Sequence, residues 1–191
     1  GRLPVLEGPH FGGANGTYWY VSLIAAGQVW KFDAHTDTLL AIATIPGVPA
    51  LMALTPDGSK LYVSQFTTSN SNKIFVVNTA SMTVVKTLTV WTMPHGIRMN
   101  HQGTLLYVAN MMSDNISVID VARDSVVATI PLTPNGSPFS PPTFMPMEIA
   151  VSPNDSIVLV SCSETREVRM VDATTNTLVD SFAVGDQPWH L

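Results

Sequence analysis

The chain has 191 residues, 46% of them hydrophobic and 12% charged, with 9 basic against 14 acidic side chains and a formal net charge of −5. Such a composition excludes a disordered polymer, and without a Lys/Arg cluster it argues against nucleic acid as a partner. A single cysteine, Cys162, excludes an intrachain disulfide framework and a multi-thiolate metal site. No apolar run approaches the roughly eighteen residues that a membrane helix needs.

In chain order, short runs of β-branched, aromatic and aliphatic residues alternate with turn formers, which is the form of short half-buried strands. Pro9 opens a first unit, followed by a second strand at Tyr20-Val21-Ser22, a third ending at Asp33 and a fourth over residues 39–45. Pro49, Tyr62-Val63-Ser64, Asn78 and residues 84–90 repeat the plan. Pro94 opens the third copy, with strands over 105–109, 116–120 and 126–132. Pro146 opens the fourth, with strands over 158–162, ending at Asp172, and over 178–184; Pro188 begins a fifth. The opening prolines are 40, 45, 52 and 42 residues apart, and the second strand starts 13 residues after its proline in three units and 11 in the first. No window keeps a 3.6-residue apolar period, so helix is expected to be close to absent.

Four strands every 40–45 residues are the pattern of a β-propeller blade. The expected fold is therefore all-β, with four-stranded antiparallel blades over about 9–48, 49–93, 94–145 and 146–187, and a further blade starting at 188–191. Four blades are at the low end of what closes a ring, so the chain is expected to be part of a seven- or eight-bladed propeller. The missing sector would come from remaining blades in cis, from a protein partner, or from a second copy, because bare blade faces and strand edges associate. Alone, residues 1–191 are not expected to be a well-behaved monomer.

Leu54-Thr55-Pro56-Asp57-Gly58-Ser59-Lys60-Leu61-Tyr62-Val63-Ser64, Leu105–Asn110 and Ile116-Ser117-Val118-Ile119-Asp120 resemble the YVTN family of β-propeller repeats. That resemblance implies a scaffold, and carries fold further than chemistry.

Strand alternation puts the first-to-second and third-to-fourth turns of every blade on one face. The second-to-third loops and blade connections lie on the other. The first face has uniform tight turns such as Asn100-His101-Gln102-Gly103. The second varies, gaining ten residues at 133–144, a segment with Pro134, Pro138, Pro141, Pro142, Phe139 and Phe144. Length variation over a fixed scaffold marks the binding face, where Phe139 and Phe144 could rim a pocket or press on a partner.

The residue after each opening proline starts an inner strand at the mouth of the channel on that face: His10, Ala50, His95, Met147 and Trp189. His10 and His95 are candidate metal ligands or proton-transfer groups, with Met147 and Glu148 one blade further round; copper, zinc or a haem iron would suit such a mouth. The competing reading is structural, with the ring of Pro-His-Gly hydrogen-bonded to neighbouring backbone. His190 alternates to the opposite side, and His35 and His101 read as turn residues. Pro94-His95-Gly96-Ile97 is similar to strand starts of streptogramin-lyase-type propellers, which implies a channel-face histidine. Nitrous-oxide reductase and the d-type haem domain of nitrite reductase also use propeller-mouth histidines as ligands. Four Asn-x-Ser/Thr triplets, at Asn15, Asn115, Asn135 and Asn154, fall in turns. Met93, Met99, Met111 and Met112 are expected to pack between blades.

The expected function is a non-enzymatic binding or assembly module, without a cofactor, of an exported protein or larger complex in the periplasm or outside the cell. The alternative is part of a redox propeller binding copper or haem, or a lyase-type propeller.

Overall fold

A computed structural model describes residues 9–14 (backbone only), 16–66, 70–133, 144–189 and 191. Its strands form four antiparallel sheets, each with its members in sequence order, and the described residues include no helix. The first sheet is β1 (Pro9–Ala14), β2 (Tyr18–Leu23), β3 (Gln28–Asp33) and β4 (Leu39–Thr44). The second is β5 (Pro49–Leu54), β6 (Lys60–Gln65), β7 (Lys73–Asn78) and β8 (Thr83–Thr89). The third is β9 (Pro94–Met99), β10 (Leu105–Asn110), β11 (Asn115–Asp120) and β12 (Ser125–Pro131). The fourth is β13 (Pro146–Val151), β14 (Ile157–Cys162), β15 (Glu167–Asp172) and β16 (Thr177–Ala183).

The leading strands β1, β5, β9 and β13 pack side by side in that order, so the sheets are successive blades around an axis. Each core lies between blades. Tyr20, Val29, Leu61 and Phe75 fill the first gap; Tyr62, Ile74, Leu106 and Ile119 the second; Tyr107, Ile116, Val158 and Val171 the third. Middle strands such as β6 and β7 are therefore buried on both faces, whereas the outer β8 and β16 are largely exposed. Cys162 is buried in β14, and burial pushes its thiol up to about 12, which leaves it without thiolate character at neutral pH.

Each closing strand stops one residue before its expected end. The next residue, at Ile45, Val90, Leu132 and Val184, instead donates its N–H back to the residue just before the third strand, at 2.8–2.9 Å.

The recurring Tyr-Val pair has a physical reason. Tyr62 passes its hydroxyl to the third-to-fourth turn of the next blade, where it meets the Asp124 carboxylate and the Val121 carbonyl. Lys60 Nζ joins the same Asp124 at 2.7 Å. Burial, then the hydrogen bond to Asp124, raise the Tyr62 pKa. On the same face His101 Nδ1 lies 2.7 Å from Asp155, which also accepts the His101 and Gln102 N–H groups, latching the third blade to the fourth. His101 is thus a turn residue with an inter-blade bond.

Candidate functional site

The opposite face carries the blade entries. Three residues that precede opening prolines adopt left-handed backbone: Met93 (φ 55°), Met145 (φ 48°) and Gln187 (φ 48°). A bulky side chain rarely takes that conformation, least of all before proline. The turn is held from the end of the second strand: Met111 N–H donates to Met93 O (2.9 Å) and Ser163 N–H to Met145 O (3.2 Å). In the second blade Phe66 N–H makes the corresponding bond to Val48 O (3.0 Å). Beyond each entry the leading strand is irregular where it meets its partner, between Val108 and Asn110 in the third blade and between Pro146 and Ile149 in the fourth. Proline cannot donate to the ladder, and the bulge re-aims the residue that follows it.

His95 is that residue in the third blade. It is buried, and its Nδ1 lies 2.9 Å from the carbonyl oxygen of Met147 in the fourth blade. A carbonyl only accepts, so Nδ1 carries the proton, and in the neutral ring Nε2 holds the lone pair. Among the described residues Nε2 has no hydrogen-bond partner. Gly96 is what allows the approach. A Cβ there would lie 2.8 Å from Glu148 Cα and 3.1 Å from the Met147 carbonyl carbon, with the Met147 oxygen closer still. Phe66 and Trp189 meet the imidazole edge-on, with ring centroids 5.3 and 6.4 Å away at 74° and 78°.

Beside this ring is a cleft of about 150 Å3, walled by Phe66, Met111, Met145, Met147 and Trp189 with Glu164 at its rim. Met147 is buried and lines the cleft, while Trp189 is 53% exposed. Glu148 is buried behind it, and its Oε1 accepts the Ile149 N–H at 3.2 Å. The expected residues His95, Met147 and Trp189 are therefore neighbours, with Glu148 adjoining. The His10 side chain, Phe139 and His190 lie outside the described residues. Residues that the sequence reading missed are Phe66 and Met145, together with Met111 as a cleft wall. Phe66 and Met111 follow the second strands of their blades, and Met145 precedes its proline, so superposing the repeats would have aligned them.

Phe144 corrects an expectation. Its ring is not offered to a partner but is buried in the gap between the third and fourth blades. The Arg169 guanidinium covers it at 3.9 Å, and Arg169 Nη1 donates to the Leu132 carbonyl. The buried Asp114 carboxylate accepts the N–H groups of Phe144 (3.1 Å) and Met145 (3.2 Å), and its carbonyl accepts Leu132 N–H (2.9 Å). Asp114 and Arg169 thus clamp both ends of the insertion that starts after Leu132. Asn115 is also buried, and its Nδ2 donates to Ser113 O at 2.9 Å, so that triplet is closed to glycosylation in the folded chain. The tight-turn face holds a larger groove of about 510 Å3 between Pro56, Lys60, Gly103 and Asp120, and none of His95, Met147, Glu148 and Trp189 lines it. Among the described residues no three His, Cys, Asp or Glu side chains are grouped as metal ligands.

The model of the lactonase, seven-bladed β-propeller family matches residues 20–137, more than half of the chain. The chain belongs to this family. It is 31% identical over 167 residues to the seven-bladed β-propeller protein Rv1057 of Mycobacterium tuberculosis, covering 84% of this chain and 39% of that protein. It is 24% identical over 163 residues to Antigen Lp49 of Leptospira interrogans, covering 76% of this chain and 34% of that one. The lactonase-family chain thus spans less than half the length of the curated relatives it matches. Among solved structures it resembles Kuenenia stuttgartiensis hydrazine synthase (TM-score 0.80, 24% identity, 96% of this chain and 50% of that one). It also resembles the dihydro-heme d1 dehydrogenase NirN in complex with DHE (TM-score 0.76, 12% identity, 98% and 40%). Both likenesses are of fold.

Proposed function

We propose that these four blades are the ligand-binding sector of a larger, non-enzymatic propeller, and that binding takes place on the face of the blade entries. The observation that carries this reading is the cleft beside His95. Thioether and aromatic side chains wall it, which supply adaptable contact area rather than an array of proton-transfer groups. The ring of His95 is committed through Nδ1 to a backbone carbonyl, as a residue holding two blades together would be. The repeat resembles the YVTN type in its Tyr-Val strands, and the absent blades, or a partner supplying them, complete the ring. The naming of the Leptospira relative as an antigen supports an exported placement in the periplasm or on the cell surface.

A second reading has one specific observation in its favour. The Nε2 lone pair of His95 is oriented by the bond from Nδ1 to the Met147 carbonyl, as it would be in a general base or a metal ligand. Lactone hydrolysis, suggested by the family description, would use it as the base.

The test is to assay the full-length protein, purified without a His tag, against five- and six-membered lactones, and to screen small apolar fragments by ligand-observed NMR. The binding reading expects fragment signals that weaken in Met147→Ser, and no turnover. Lactone hydrolysis that disappears in His95→Gln would overturn it.

A further inference from the structure

The walls of the cleft share one electronic property. Phe66 and Trp189 carry π-systems, Met111, Met145 and Met147 carry polarisable thioether sulfurs, and Glu164, which is exposed, carries a carboxylate. Every one of these groups is electron-rich. Among the described residues that line the cleft, none is Lys or Arg; the remaining two, Ser163 and Gln187, are neutral. Ser163 Oγ is already engaged with the Met145 carbonyl at 3.3 Å. An anion entering here would meet aromatic rings, thioethers and a carboxylate and lose its hydration for nothing. A cation that carries its own apolar surface would be attracted by all of them.

Size narrows the class. A cavity of about 150 Å3 is that which holds a single benzene-sized group. It is below the roughly 300–1,000 Å3 of sites for whole drug-sized ligands. The occupant is then one compact group of a ligand. A bare ammonium would keep its water and gain little from the sulfurs, whereas methyl groups around the nitrogen spread the charge and pack on Met and Trp alike. Methionine's unbranched, flexible side chain lets three walls adjust to such a sphere. The geometry points to a subsite for a methylated ammonium group: we infer that this cleft binds quaternary or tertiary alkylammonium ligands, with Trp189 and Phe66 as π-walls and Glu164 as the counter-charge. This rests on the proposal that the blade-entry face is the binding face and names the chemical class it takes.

The experiment compares tetramethylammonium and choline with 3,3-dimethylbutanol, the neutral carbon isostere of choline. Isothermal titration of the full-length protein is the readout. The inference expects saturable ammonium binding and affinity for the isostere lower by about tenfold or more, the difference being the charge. Glu164→Gln, an exposed position that leaves the fold alone, should weaken choline binding severalfold without changing the isostere. Trp189→Leu, also exposed, should weaken choline by about five- to thirtyfold. Equal binding of choline and its isostere would overturn the ammonium assignment while leaving a binding cleft in place. No binding of either would overturn the subsite itself. Neither result coincides with His95-dependent lactone turnover, which alone would remove the underlying reading of the face.

Discussion

Gly96→Ala tests why the third and fourth blades can meet at His95. The added Cβ would sit 2.8 Å from Glu148 Cα and closer still to the Met147 oxygen, where ordinary contact begins at 3.4 Å, so the fourth blade's leading strand must retreat by at least about 0.6 Å. Both groups in conflict are backbone, and backbone cannot rotate away as a side chain can. Overpacking of this kind costs about 1–3 kcal/mol. The retreat also stretches the buried bond from His95 Nδ1 to Met147 O, worth about 1 kcal/mol. Against this, alanine restricts the unfolded chain and returns about 0.4–1 kcal/mol. The net expectation is a loss of about 1–3 kcal/mol. With a urea slope near 2 kcal/mol per molar, the midpoint falls by about 0.5–1.5 M. Gly185→Ala is the matched control, because a Cβ there meets nothing within 4 Å. Urea titrations of both variants, with 15N shifts of the His95 ring as a second readout, decide it. If Gly96→Ala proves as stable as Gly185→Ala and the Nδ1 proton stays in place, the close-approach argument is wrong.

Asp114→Ala should cost about 1–3 kcal/mol, since the buried N–H groups of Phe144 and Met145 lose their acceptor; the exposed Asp180→Ala should stay within about 0.5 kcal/mol by the same denaturation assay. Cys162 should react with a disulfide reagent at pH 8 only as fast as the protein unfolds, because the thiol is buried and pushed up to about 12; rapid labelling of the native protein would contradict its placement. Asp57 is held down to about 2 by the Thr55 hydroxyl and the Ser59 N–H and hydroxyl. Its folded pKa is depressed, so the contribution is complete above the unfolded value of 3.8 and is lost as pH falls from there through 2. The group is solvent-exposed and screened, so the effect is expected in the Ser59 amide shift, titrating near pH 2, rather than as a large change in global stability.

The blades were legible because each strand announces itself locally. Pro94 sets the entry, Tyr107-Val108 fill the gap between sheets, and turns such as Thr55-Pro56-Asp57-Gly58 close the ladder. Their spacing repeats often enough to exclude chance. His95, Met147 and Trp189 could be singled out for the same reason, as equivalent positions in successive repeats. What could not be read was whatever depends on a neighbour brought in by the fold. Gly96 looks like a flexible residue until the Met147 backbone is placed against it. Asp114 and Arg169 look like a turn residue and a strand charge, since the groups they clamp at Leu132 and Phe144 are 18 to 37 residues away. The misreading of Phe144 has the same source. An aromatic in a Pro-rich insertion reads as exposed, but it stands at the insertion's foot, where an inter-blade gap receives it.

The central claim is that ligands are taken on the blade-entry face at the methionine-walled cleft. Methyl-13C methionine labelling of the full-length protein reports on that face and on its opposite in one spectrum. Met111, Met145 and Met147 line the cleft, while Met82 lies at a third-to-fourth turn on the tight-turn face. Titration with choline should move the three cleft methyls together along one saturable curve and leave Met82 still. Movement of Met82 with the three cleft methyls unchanged would place binding on the other face and contradict the account.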